Sequence, residues 1–142
     1  MTIAVDFDGT IVEHRYPAIG REIPFAIDAL KLLCAHNHKI ILWTVREGAL
    51  LDEAVEYCRE RGLRFYAVNK NYPEEKECHE GYSRKLQADL FIDDRNFGGL
   101  PDWGKIYRTI SGDRVEADER ASSDNNKKKG FIHHIKKLLK KH

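Results

Sequence analysis

Two aspartates separated by one residue follow the first apolar segment of the sequence. Asp6 and Asp8 come after residues 3–5, and Gly9 and Thr10 follow them directly. Two carboxylates this close together are costly to keep ionised unless a cation or a proton lies between them. Magnesium commonly binds one or two carboxylates together with waters and phosphate. Because glycine allows a phosphate to approach the backbone and threonine can order a turn, the pattern indicates a magnesium and phosphate site.

Polar groups also follow two later apolar segments. Thr44 comes after residues 40–43, and the pair Asp93 and Asp94 comes after residues 90–92. The hydroxyl and the N–H of Thr44 can both donate to a phosphoryl oxygen, and an aspartate of the later pair adds a metal ligand. The residues leave open which of the two aspartates binds the metal and which orients a neighbouring group, with the first preferred.

Two basic residues complete the candidate site. Lys85 would stabilise the negative charge that develops on a transferring group, although Arg84 and Lys70 compete for this role. Arg46 follows Thr44 by two residues and either contacts substrate or forms a surface ion pair. A nucleophilic carboxylate, an acid/base, a cation, a hydroxyl and a lysine are what phosphoryl transfer through an aspartyl-phosphate requires.

These residues need a scaffold that brings distant segments together, and the hydrophobic pattern predicts one. The predicted strands are residues 3–5, 40–43, 65–68, 90–92 and 105–107, and the predicted helices are residues 23–33, 48–61 and 83–86. Alternating strands and helices predict a three-layer α/β/α, Rossmann-like domain with a parallel sheet of about five strands, covered on both faces. Ligands of such sheets bind beyond the carboxyl ends of the strands, so the polar groups are expected to converge there.

With these motifs in order, the sequence resembles the haloacid dehalogenase (HAD) superfamily. Residues 6–10 look like its first motif, residues 40–44 its second, Lys85 its third and residues 91–94 its fourth. The resemblance covers roughly residues 2–110 and keeps the family's motif order.

The resemblance implies a mechanism. Asp6 would attack phosphorus, and Asp8 would protonate the leaving oxygen and then activate water. The Asp6 carboxylate, the Asp8 main-chain carbonyl and Asp93 or Asp94 would hold Mg²⁺. The residues predicted to bind phosphate are Gly9, Thr10, Thr44, Arg46 and Lys85. Asp8 favours a phosphatase or phosphotransferase, because dehalogenase members lack this aspartate and the cation-pumping ATPases carry threonine there.

The spacing of the motifs leaves no room for the folded cap domain that many members of the superfamily carry. Only 40 residues separate Thr44 from Lys85, and the predicted helix, strand and loop use them. The polar segments around residues 13–16 and 71–73 are therefore the predicted specificity elements. In the superfamily that the sequence resembles, an open site of this kind tends to go with a macromolecular substrate or with closure by a partner subunit, as in a homo-oligomer. The identity of the phosphorylated substrate stays open.

Charge is distributed unevenly along the 142-residue chain. Seven lysines and no acid occur from Lys127 onward, and residues 1–126 carry 17 basic and 23 acidic residues, a balance of −6. We predict a catalytic core at residues 1–110, a polar flexible linker at 111–129 and a basic amphipathic helix at 130–142. This last helix either docks on the core or contacts an anionic partner such as lipid, nucleic acid or an acidic protein.

The remaining features favour a cytoplasmic protein. There is no apolar run long enough to span a bilayer and no secretory signal at Met1. Cys34, Cys58 and Cys78 are an odd number and contain no Cys-x-x-Cys pair, and Cys34 and Cys58 are expected to be reduced, partly buried core thiols. The alternative function is a phospho-acceptor module similar to response-regulator receivers, or a phosphate-binding regulatory protein. Receivers carry their acceptor aspartate after the third strand, where this sequence has Asn69.

Overall fold

The fold was obtained as a computed structural model, which describes residues 1–76 and 84–112. The strands are β1 (Thr2–Val5), β2 (Lys39–Leu42), β3 (Ala67–Val68) and β4 (Leu90–Ile92). The helices of the described residues are α1 (Ala26–Ala35), α2 (Gly48–Glu60) and α3 (Trp103–Ser111). The predicted α/β class is confirmed, and four of the five predicted strands lie where the apolar segments placed them.

The four strands form one parallel sheet in the order β3-β2-β1-β4. In register, Val5 of β1 lies beside Leu42 of β2 and Ile92 of β4, so the three strands end at the same level. The chain moves outward from β1 through β2 to β3 and then returns to place β4 on the opposite side of β1. This reversal creates a crevice at the carboxyl end of β1, the usual ligand position in open α/β sheets.

One face of the sheet carries the main hydrophobic core. Leu30 and Leu33 of α1, Cys58 of α2 and Tyr107 of α3 are buried against this face. Their helices are amphipathic, and burial of the apolar side chains at one face stabilises each helix more than its intrinsic propensity does.

The other face of the sheet differs from the prediction. Ala4, Ile41 and Ala67 point to this face and are buried together with Leu86. Within residues 1–76 and 84–112 no helix packs on it, so the predicted cover of helices on both faces is not confirmed in this part of the chain. Leu86, from the connection between β3 and β4, packs on this face instead.

The prediction of a fifth strand at residues 105–107 is wrong, because these residues lie inside α3. The Asp102 side chain caps the helix by accepting a hydrogen bond from the Lys105 N–H at 3.0 Å. Trp103, Ile106 and Tyr107 are buried at helical spacing, a period that a three-residue apolar window is too short to reveal.

The remaining segment predictions have different outcomes. Residues 84–86 are not helical, which corrects the described part of the helix predicted at 83–86. Within the described residues no helix is long and apolar enough to cross a membrane. The α3 helix ends at Ser111, and the predicted linker beyond residue 112 and the basic helix at 130–142 lie outside the described residues.

Candidate active site

The loop after β1 is shaped by backbone hydrogen bonds. The Phe7 carbonyl accepts from the N–H groups of Ile11 at 2.9 Å and Val12 at 3.1 Å. Gly9 occupies the left-handed region with φ 88°, and a Cβ built on it would lie 2.3 Å from Asp94 Oδ2. A glycine is therefore required here for two reasons: the backbone conformation, and the close approach of the Asp94 carboxylate from the loop after β4.

Three carboxylates meet at the end of the sheet. Oxygens of Asp6, Asp93 and Asp94 all lie within 4.8 Å of one another. Asp94 Oδ1 is buried without a hydrogen-bond partner among the described residues, which is costly for an anionic oxygen unless a cation binds it. An all-oxygen set of this size suits a hard divalent cation such as Mg²⁺. Asp93 Oδ1 also accepts from the Arg95 N–H at 2.8 Å, which orients that carboxylate.

The electrostatic environment of Asp6 reflects this crowding. Its pKa is raised from 3.8 to about 6, first because burial disfavours the charged form and then because Asp93, Asp94 and Asp8 repel it. A hydrogen bond from the Phe7 N–H acts in the opposite direction. A cation bound among these carboxylates would relieve the repulsion and favour the ionised form of Asp6.

Thr10 is fully buried and links the loops that form the site. Its hydroxyl accepts from the Asp94 N–H at 3.0 Å, and its carbonyl accepts from Trp103 Nε1 at 2.9 Å. The prediction that Thr10 binds phosphate does not fit this position, because the hydroxyl ties the β1 loop to the β4 loop. Trp103 was not singled out from the sequence, and its role follows only from the packing of α3.

Arg46 forms a buried ion pair with Asp8, and its side chain is fully buried. Its Nε and Nη2 each donate to one carboxylate oxygen of Asp8 at 2.7 Å. Nη1 and Nη2 also donate to the carbonyls of Pro17 at 2.9 Å and Ala18 at 3.0 Å. The predicted surface ion pair is therefore a buried one, and the predicted contact of Arg46 with phosphate does not fit because four acceptors already surround the guanidinium.

This pair also fixes the place of Asp8. Its two carboxylate oxygens accept from Arg46, and its carboxylate is not part of the cluster of Asp6, Asp93 and Asp94. A metal role for Asp8 is thus limited to its main-chain carbonyl, as the resemblance implied. The side chain still lines the same cavity as Asp6.

Thr44 lies at the end of β2 with its side chain nearly buried and facing the cavity. Its N–H donates to Asn69 Oδ1 at 2.8 Å, and its hydroxyl accepts from the Arg46 N–H at 3.3 Å. The N–H is therefore not available to a phosphoryl oxygen as predicted, whereas the hydroxyl proton is. Asn69, which adopts φ 53° after β3, was missed as a site residue, since a single asparagine after a strand has many turn interpretations.

Lys85 is exposed, lies in an irregular segment and does not line the cavity. It has an interaction partner within the structure. Its assignment as the family's third-motif lysine stays a prediction.

The cavity has a volume of about 430 Å³, and its floor is formed by Asp6, Asp8, Thr44 and Asp93. This size lies within the range of small-ligand sites in proteins. The predicted convergence of strands one, two and four on a single point is confirmed.

The rim of the cavity comes from three elements. Trp43 and Val45 flank Thr44, and Arg95 follows the β4 aspartates. His14 and Tyr16 belong to residues 13–21, which we call the flap. The flap is closed at its base by a hydrogen bond from the Glu13 N–H to the Arg21 carbonyl at 2.7 Å. The residues that line the cavity thus include His14 and Tyr16 of the predicted segment 13–16 but none of residues 71–73.

The fold and the site together define an α/β protein with a carboxylate cluster at the switch point of a parallel sheet. A solved structure of a conserved protein from Bacteroides thetaiotaomicron is 66% identical, with a TM-score of 0.75. The match covers 86% of this chain and 98% of that one, so the chain belongs to the same family as that protein. No family model matches the sequence, and no curated protein matches it.

Proposed function

We propose that the protein is a magnesium-dependent phosphomonoester hydrolase of the HAD type, with Asp6 as nucleophile. The observation that carries this proposal is the convergence of Asp6, Asp93 and Asp94 within 4.8 Å at the end of the sheet. The proposal is supported by the buried, unpartnered oxygen of Asp94 and by the hydroxyl of Thr44 on the floor of the same cavity.

Asp6, the main-chain carbonyl of Asp8, and Asp93 or Asp94 would hold Mg²⁺, which neutralises phosphate charge when bound. An Asp6 oxygen attacks phosphorus and the bond from phosphorus to the leaving oxygen breaks, with a proton passing from Asp8 to that oxygen. Asp8, now a carboxylate, takes a proton from water, which attacks the phosphorus of the aspartyl-phosphate. The products are the alcohol and inorganic phosphate, and Asp6 is regenerated.

Arg46 has a defined part in this scheme as a positioning residue. It holds the Asp8 carboxylate by two short hydrogen bonds and is anchored in turn by the carbonyls of Pro17 and Ala18. This arrangement suits the second step, in which Asp8 acts as a base. In the first step Asp8 is protonated, and the oxygen that carries the proton gives up its hydrogen bond from Arg46.

Hydrolysis of p-nitrophenyl phosphate tests the proposal. We expect turnover that requires Mg²⁺ and is abolished in Asp6→Asn, while Asp8→Asn is slowed by about a hundred-fold or more, the usual range for a lost acid/base. Asp102→Asn is the matched control, because asparagine also caps helices and Asp102 lies outside the cavity. Unchanged turnover in Asp6→Asn would refute the mechanism.

The amount of phosphate turned over distinguishes the proposed hydrolase from the alternative, a phospho-acceptor module. A phospho-acceptor module would take up one equivalent of phosphate from a small donor such as acetyl phosphate and release it slowly. A hydrolase turns over many equivalents, and beryllium fluoride should bind at Asp6. Binding of the fluoride at Asp93 would exclude the proposed nucleophile.

A further inference from the structure

We infer that the proposed hydrolase acts on small phosphomonoesters whose leaving alcohol carries a flat unsaturated ring, which binds between Trp43 and Tyr16. The inference rests on the proposed function, because it concerns the rim of the same cavity. In the proposed function the floor would bind a phosphate and a cation, whereas the rim combines the rings of Tyr16 and Trp43 and the side chain of Val45 with the polar side chains of His14 and Arg95. The aromatic and aliphatic side chains of the rim are not ligands for a phosphate, so we assign them to the group attached to the phosphate.

Each of the two rings has a contact outside the cavity. The Trp43 backbone N–H extends the sheet by donating to the Val5 carbonyl at 2.8 Å, and its ring meets Phe91 edge to face at 5.0 Å. The Tyr16 ring lies 5.3 Å from the guanidinium of the fully buried Arg46. Rings that are fixed before a ligand binds lose little conformational entropy, which favours their use as recognition surfaces.

Val45 adds an exposed aliphatic side chain to the rim. It is 84% exposed although it sits between Thr44, whose hydroxyl faces the phosphate position, and the buried Arg46. An exposed aliphatic side chain beside two rings favours a leaving group that carries a flat unsaturated ring over one that is a polyhydroxy sugar alone. The flap that carries Tyr16 walls one side, so a cavity of about 430 Å³ fits one small ring-bearing ester.

Matched pairs of substrates test this inference in the full-length protein. Adenosine and uridine 5′-monophosphates are compared with ribose 5-phosphate, and benzyl phosphate with cyclohexylmethyl phosphate. Within each pair the leaving alcohols have similar basicity and differ in the flat ring. We expect kcat/KM to be about ten-fold or more higher for the ring-bearing member, mainly through KM, as for a stacking contact that is equal in ground and transition states. A preference confined to the nucleotides identifies a nucleobase as the ring, and one confined to benzyl phosphate identifies an aryl group.

Variants of the rim complete the test. Tyr16→Leu and Trp43→Leu should each reduce the ring preference by about five-fold or more, and the half-exposed Tyr16 makes the first variant safe for folding. Phe97→Ala is the control, since Phe97 is fully exposed and does not line this cavity, and its preference should equal that of the wild type. Equal kcat/KM within both wild-type pairs, or a preference that Tyr16→Leu leaves intact, would overturn the inference while leaving the hydrolase proposal standing. Absence of turnover of every ester, including p-nitrophenyl phosphate, would overturn both.

Discussion

Removal of the Asp6 charge is expected to stabilise the metal-free protein at alkaline pH while it destroys activity. The pKa of Asp6 is raised from 3.8 to about 6 by burial and by repulsion from neighbouring aspartates. Well below pH 3.8 the carboxyl is protonated in the folded and unfolded chains alike, so it does not affect stability. Between pH 4 and 6 the unfolded chain ionises first, and the folded state loses stability until both states are ionised above pH 6.

The size of the effect follows from the two pKa values. One pH unit corresponds to about 1.4 kcal/mol, so the full penalty is about 3 kcal/mol above pH 6. Because Asp6 is partly exposed, solvent screening reduces this to about 1–2 kcal/mol. In metal-free buffer at pH 8, Asp6→Asn should therefore unfold about 4–8 °C higher than the wild type, and the difference should disappear as the pH falls well below 3.8.

Thermal unfolding followed by circular dichroism measures this difference, with EDTA to remove metal and with Asp102→Asn as the control. The difference between wild type and Asp6→Asn removes the contribution of titrating groups that do not interact with Asp6. Added Mg²⁺ should raise the unfolding temperature of the wild type at pH 8 and raise that of Asp6→Asn much less. An Asp6→Asn protein that is less stable than the wild type at pH 8 without metal would refute the reasoning, as would equal stabilisation of both by Mg²⁺.

Two further substitutions test the supports of the site. Arg46→Met leaves the buried Asp8 carboxylate unpaired, so we expect the free energy of unfolding measured in urea to fall by about 3–5 kcal/mol. Arg46→Lys should recover only part of this loss, because lysine cannot donate in a bidentate fashion. A loss below about 1 kcal/mol in Arg46→Met would contradict a buried pair. Gly9→Ala drives a methyl group into Asp94 Oδ2, so Mg²⁺ affinity measured by calorimetry should fall about ten-fold or more. Gly98→Ala has a similar φ of 90° with no atom within 4 Å, so it isolates the cost of backbone strain and should bind Mg²⁺ as the wild type does.

Local pattern was sufficient for the elements whose signal is contained in a short window. The apolar segments at residues 3–5 and 90–92 became β1 and β4 almost without adjustment, because buried parallel strands are continuous apolar runs. The same reasoning failed at residues 105–107, where a capped amphipathic helix contains a short apolar stretch. The period of that helix emerges only over its full nine residues.

The partners of individual side chains were beyond the reach of the sequence. Arg46 lies 38 positions from Asp8, and nothing local distinguishes a buried arginine with four acceptors from one that faces substrate. Asn69 likewise lies 25 positions from Thr44, whose N–H donates a hydrogen bond to it. Such pairs depend on the relative placement of loops from different strands, which the order of the sheet decides.

By itself, the sequence determined that an Asp-x-Asp loop, a threonine and a second aspartate pair follow three buried strands, which is enough to predict an oxygen-rich site. The tertiary structure decided how these groups divide: Asp6, Asp93 and Asp94 form the cluster, while Asp8 faces Arg46. Strand identity depends on short-range hydrophobic pattern, and parallel register then brings the strand ends together. The division of roles depends instead on distances of a few ångströms between loops far apart in the chain, and these exist only once the sheet has formed.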